Sequence, residues 1–157
     1  MTKNKFPMYV DLSDKKIVIA GGGNIGCRRV KTLIGFCDHI TVVSPKILPC
    51  IEPYIKDKKI RWADKNIDVD DIKDADIVIA ATNDNELNKK IYLYCREKGI
   101  TVNNASDQNE CDFQFPAVIK FENIVIGLNS GGTDHKKVKK FREKLENFLK
   151  TVDFKDE

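Results

Sequence analysis

Gly21-Gly22-Gly23-Asn24-Ile25-Gly26 has the spacing G-x-G-x-x-G, with glycines at 21, 23 and 26. Such a turn binds a pyrophosphate through its backbone. The first glycine permits the tight turn, the second lets the backbone approach the phosphates, and the third lets helix and strand pack closely. If Asn24 and Ile25 open a helix, its unpaired N–H groups and positive dipole end face the same anion. A second cluster is Val43-Ser44-Pro45, where a dinucleotide site usually carries an Asp or Glu for the ribose. Ser44 offers a weaker bond there, with Pro45 beside it, and Lys46 tolerates a phosphate, so this position leaves NAD and NADP both open. A third is Thr82-Asn83-Asp84, which can line a cofactor or cap a helix, two compatible uses. The fourth is the polar run from Asn103 to Asp112, with Asp107, Glu110 and Asp112 as carboxylates. A hydride transfer also releases a proton, and a carboxylate can take it.

These residues are useful only at the ends of strands, and the pattern supplies the strands. Lys16 to Gly21, His39 to Pro45, Lys59 to Ala63, Asp76 to Thr82 and Ile100 to Asn103 are short apolar runs that read as strands. Helical spacing lies between them at Asn24–Phe36 and Asn85–Lys98, the latter closed by Gly99. A short helix broken by prolines is expected over Ile47–Ile55 and a single helical turn over Asp70–Lys73. Strands alternating with helices predict an α/β, Rossmann-like, doubly wound parallel sheet over residues 1–112. The rhythm then changes. Phe113–Phe121 and Asn123–Asn129 stand at hairpin spacing, and a basic helix follows Ser130-Gly131-Gly132-Thr133, so 113–157 form an addition to the α/β domain.

Hydrophobic residues make up 41% and charged residues 32%, a balance that supports a globular core. No apolar run is long enough to span a bilayer, and the N-terminus lacks an apolar signal core, so neither membrane nor export is expected and the compartment is the cytoplasm. The five cysteines are odd in number and lack CxxC spacing, which argues against a disulfide framework. With only two histidines, a closed structural metal site is not expected either. Net charge is +3, yet Lys136, Lys137, Lys139, Lys140, Arg142, Lys144 and Lys150 concentrate on the last helix. That helix either attracts anions or is a solvated face. Its aromatics, Phe141 and Phe148, read better as a packed face than as base-stacking residues, so nucleic acid is not expected as a partner.

Taken together, the segments resemble one family, the precorrin-2 dehydrogenase or siroheme synthase dehydrogenase/ferrochelatase module. The resemblance runs in order through Phe6-Pro-Met-Tyr-Val-Asp-Leu12, Val18 to Val30, Thr41 to Pro45, Asp76 to Asn88, Val102-Asn103, Cys111-Asp-Phe-Gln-Phe-Pro-Ala117 and Ser130-Gly-Gly-Thr133. It implies NAD as cofactor and oxidation of the tetrapyrrole precorrin-2 to sirohydrochlorin, with iron insertion in some members. It implies a homodimer built largely by the hairpin segment. It also gives the basic helix a purpose, since the substrate is a polycarboxylate.

Three departures stand out. Ungapped counting puts Ser106 in the slot of the family's catalytic Asp, with Asp107 adjacent; a one-residue shift in the loop gives that role to Asp107. After Thr133 the family's Ser-Pro is replaced by Asp134-His135. Longer members also carry a further helical domain, so the resemblance implies either a more open site here or a partner that supplies the cover. Two other readings stay in view. A nucleotide-sensing Rossmann module would share the glycine turn but would normally keep the acid that Ser44 replaces. A degenerate member would bind tetrapyrrole or metal without chemistry.

Overall fold

The computed structural model describes residues 6–152. The first five residues of the segment read for an export signal, and the last five of the C-terminal addition, lie outside them. Two compact units result: Val10–Phe113, and the stretch to Tyr9 together with the residues from Gln114 onward.

The larger unit is a five-stranded parallel sheet. Its strands are β1 (Lys16–Gly22), β2 (His39–Ile47), β3 (Arg61–Ala63), β4 (Ile77–Ala80) and β5 (Thr101–Asn104), in the order β3-β2-β1-β4-β5. This is the doubly wound order, with its switch point between β1 and β4. Every residue of β1 after Lys16 is buried, as a strand covered on both faces requires. One face packs Val18, Ala20, Val78 and Val102 against Ile91 and Cys95 of α3 (Asn85–Lys98). The opposite face is served by α1 (Asn24–Leu33), which buries Cys27, Val30 and Leu33. The α3 boundaries follow from its caps. The Asp84 side chain accepts from the Glu86 and Leu87 N–H groups, and Gly99 ends the helix at φ 70°.

Some boundaries differ from those expected. β2 runs through Pro45 to Ile47, because Gly22 pairs with Ile47 while Ala20 pairs with Val43. The extra residues on β2 bulge out around Pro45, which has no N–H to give to a ladder. The proline-broken helix shrinks to α2 (Glu52–Lys56), with Pro53 in the first turn, where its missing N–H costs nothing. α1 stops at Leu33, three residues early, in a turn where the Phe36 and Cys37 N–H groups both reach the Leu33 carbonyl.

The smaller unit holds the antiparallel hairpin of β6 (Ala117–Phe121) and β7 (Ile124–Leu128), with α4 (His135–Leu149) packed on β6. β6 starts four residues later than Phe113, just after Pro116. The Tyr9 hydroxyl donates to the Val125 carbonyl at 3.0 Å and ties the N-terminal stretch to β7. No helix among the described residues is long and apolar enough to cross a membrane.

The cysteine count and spacing argue against a disulfide framework, yet one bridge is present. Cys27 on α1 is bonded to Cys50, with Cα atoms 6.3 Å apart. The β1–β2 register brings the start of α1 beside the segment after β2, and that separation lies in the disulfide range. Cys37, Cys95 and Cys111 are free. Alkylation of the unfolded, air-oxidised protein should therefore label three cysteines, and all five only after reduction. Five labels without reductant would remove the bridge.

Candidate functional site

The ends of β1, β2, β4 and β5 converge on the switch point, and the glycine turn sits at its centre. Gly21 has φ +110°, and a Cβ placed on it would run into the Ala81 carbonyl. A Cβ on Gly22 would meet the Lys46 carbonyl, and one on Gly26 the Gly21 carbonyl. Gly23 is different: among the described residues, nothing lies within 4 Å of its Cβ direction. Three glycines thus serve close packing and one faces open space. Gly22 is a packing position that the motif itself does not mark. Gly23 also starts α1, which no side chain caps and whose first turn carries no acidic residue. The N–H groups of Asn24, Ile25 and Gly26 precede the first intrahelical bond, Cys27 N–H to the Gly23 carbonyl at 2.9 Å. An open approach, uncapped donors and a positive dipole end together fit a dinucleotide pyrophosphate.

At the end of β2, Ser44 is buried. Its hydroxyl donates to the Lys46 carbonyl at 2.6 Å, and its own carbonyl accepts from the Trp62 indole at 2.9 Å. Pro45 and Lys46 are what the bulge turns outward, and both border a cleft of about 580 Å³ with Glu52, Lys56 and Trp62.

At the end of β4, Asp84 caps α3, and Asn83 is exposed between it and Thr82. Thr82 is held by Asn88, which is fully buried on α3. The Thr82 N–H donates to Asn88 Oδ1 at 3.1 Å, and Asn88 Nδ2 donates to the Thr82 carbonyl at 3.1 Å. The Thr82 hydroxyl lies 2.7 Å from Oδ1, and Nδ2 reaches Ser106 Oγ at 2.6 Å. Sequence reading missed Asn88. The signal was there: it shares one stripe with Ile91 and Cys95, where a buried amide must earn its bonds.

The loop after β5 is held by its own side chains. Asn103 Nδ2 donates to the Phe113 carbonyl, while its Oδ1 is buried with no hydrogen-bond partner among the described residues. Asn104 donates to Glu110 at 2.6 Å and accepts from the Ser106 N–H at 2.9 Å. Asp112 accepts from the Val102 N–H at 2.9 Å and pairs with Arg96 at 2.7 Å. Two of the three carboxylates are therefore structural. Asp107 is exposed beside Ser106, and among the described residues only its Oδ1 is engaged, by the N–H and side chain of Asn109. The Cys111 thiol donates to the carbonyls of Asn104 and Asp107, and burial pushes its pKa up, so it stays a donor. Burial, helped by neighbouring Arg28, pushes the Arg29 guanidinium down to about 10, still cationic at neutral pH, and Cys111 acts on it in the opposite sense.

A sequence model for a family described as "Putative NAD(P)-binding" matches residues 8–117. The chain is 40% identical over 150 residues to the "Probable multifunctional siroheme biosynthesis protein HemA" of Ruminiclostridium josui, covering 95% of this chain and 29% of that protein. It is 30% identical over 146 residues to the siroheme synthase of Buchnera aphidicola subsp. Acyrthosiphon pisum, covering 93% of this chain and 31% of the relative. It thus spans under a third of the length of these two. The precorrin-2 dehydrogenase of Bacillus subtilis is 32% identical over 143 residues, which are 91% of this chain and 88% of its own length. Among solved structures, "SirC, precorrin-2 dehydrogenase" superposes with a TM-score of 0.78 at 24% identity, covering 92% of this chain and 71% of that one, and shares the fold.

The glycines give a paired prediction. Gly21→Ala should cost about 1–3 kcal/mol through its backbone conformation alone, and lower Tm. Gly23→Ala enters open space at φ −79° and should leave Tm nearly unchanged. It should still weaken NAD binding about tenfold by occupying the phosphate approach. Thermal melts and NAD titration check both, and unchanged NAD affinity in Gly23→Ala would place the phosphates elsewhere.

Proposed function

The chain belongs to the precorrin-2 dehydrogenase family, and from that premise we propose that it oxidises precorrin-2 to sirohydrochlorin. The observation that carries this reading is a single sheet edge. It holds both a pyrophosphate cradle around Gly23 and an ordered polar loop with Asp107 and Ser106 exposed. NAD, when bound, supplies the hydride acceptor. The reaction removes one hydride and one proton from the substrate, so the chain's own task is to orient the tetrapyrrole and take the proton. Asp107 is our choice of proton acceptor, because Glu110 and Asp112 are committed to holding the loop. Gly21, Gly22 and Gly26 shape the turn, and Gly23, Asn24 and Ile25 offer the phosphate contacts. Pro45 and the buried Ser44 border the ribose end, and Thr82, Asn83 and Asn103 wall the centre.

The cofactor domain in this reading is the larger unit, and the smaller one mediates dimerisation. Phe6, Met8, Ile124, Phe141 and Phe148 of this unit are apolar and at least half exposed, side chains that a partner surface could cover. A second copy of the chain is the occupant we propose, working in the cytoplasm.

The purified protein, supplied anaerobically with fresh precorrin-2, should reduce NAD. Asp107→Asn should lower kcat by about 10²-fold or more without changing the NAD dissociation constant. No turnover with NAD or NADP from folded protein would overturn the dehydrogenase reading, and full turnover by the variant would remove Asp107 from it. Light scattering should return twice the 17.9 kDa chain mass, and a strict monomer would remove the dimer.

A further inference from the structure

Ser106 can act as a base, an acceptor or a donor, and Asn88 decides among them. An amide side chain could sit either way round in a pocket. Here the backbone of Thr82 allows one orientation. Its N–H can only donate, so the atom 3.1 Å away on Asn88 is oxygen. Its carbonyl can only accept, so the other atom is nitrogen. The reversed amide would set N–H against N–H and oxygen against oxygen in a fully buried place.

With the amide fixed, the remaining Nδ2 hydrogen points at Ser106 Oγ, 2.6 Å away. The serine oxygen must therefore accept from Asn88, and its single hydrogen must point away from α3. The Ser106 backbone is pinned as well, by its N–H to Asn104 Oδ1. Ser106 is exposed, so the hydroxyl presents its hydrogen to whatever occupies the sheet edge.

Resting on the precorrin-2 reading above, we propose that Asn88 is a positioning residue that commits Ser106 to donate a hydrogen bond to a carboxylate of the tetrapyrrole. A hydroxyl-to-carboxylate bond is charge-assisted and stronger than a neutral one. The same polarity aims the Ser106 hydrogen at the sheet edge, and the role of proton acceptor falls to its neighbour Asp107, whose carboxylate is a stronger base than a neutral hydroxyl. It also links two strand ends through one amide: Thr82 at the cofactor wall and Ser106 at the substrate face are both bonded to Asn88.

The test uses binding of sirohydrochlorin, followed by absorbance, which needs neither NAD nor turnover. Ser106→Ala should weaken it about tenfold or more. Ser106→Thr, which keeps the donor, should stay close to wild type. Asn88→Asp reverses the polarity, because a carboxylate oxygen draws the serine hydrogen inward. It should lose as much as Ser106→Ala, and the double variant should lose no more than either alone. NAD affinity should be unchanged in Ser106→Ala, and the kinetic loss should fall on KM rather than kcat. If Asn88→Asp does not fold, the side-chain amide signal of Asn88 serves instead: one Nδ2 hydrogen should shift and lose exchange protection in Ser106→Ala. Wild-type sirohydrochlorin affinity in Ser106→Ala, additive losses, or an unmoved Asn88 signal would each overturn the proposal. Wild-type protein that binds sirohydrochlorin but does not reduce NAD would sink the dehydrogenase reading while this proposal stands on the binding data. Wild-type protein that binds none would sink both.

Discussion

Where β1 parts from β4, its backbone passes so close to the end of that strand that the space for a Cβ on Gly21 is already taken by the Ala81 carbonyl. Much of the site follows from that approach. β1 and β4 are hydrogen-bonded neighbours from Ile17–Ile77 to Ala20–Ala80, so the two chains must diverge within a residue or two of Ala20. Gly21 makes the divergence with a backbone angle that other residues avoid. α1 is thereby set on its axis, close enough that Gly26 touches the Gly21 carbonyl. On the other side Gly22 is pressed against Lys46 and Ile47, and β2 bulges to keep its ladder. The open space over Gly23 is what remains when three close contacts have been satisfied around it.

The second half of the site is built by side chains rather than by backbone approach. Strand β5 is only four residues long and ends in buried Asn103 and Asn104. Apolar residues there would continue the core. Asparagines instead supply donors and acceptors that turn the chain back along the strand, closing with the Asn103–Cys111 bridge. Glu110 and Asp112 complete that return, which explains why a loop with three carboxylates exposes one beside Ser106.

Much of this was legible in the sequence, for reasons that differ from element to element. α3 was readable at both ends because an aspartate cap and a left-handed glycine are local signals. The hairpin was readable from spacing, and its two-residue turn falls at Glu122 and Asn123, with Glu122 at φ 51°. The glycine motif gave its own division of labour between packing and approach. What was not legible depends on register. Cys27 and Cys50 lie 23 residues apart and meet through the β1–β2 pairing, which no cysteine spacing encodes. The Ser44 hydroxyl turns inward because of a bulge whose position is set by Gly22 and Ile47. Asn88 lay between the two cases. Its place on a buried stripe was visible, but its partners came from the far ends of two other strands.

The loop from Ala105 to Phe113 is longer than most connections in this sheet, yet little of it is left to wander. Its bonds to Asn104, Val102, Asn103 and Asn88 are made within the free chain. Ordering a loose residue costs about 1–2 kcal/mol of conformational entropy. A large, flat ligand settling on this edge meets a surface whose disorder was removed during folding. Its binding energy is not consumed in quieting the protein, and the core beneath has already borne that cost.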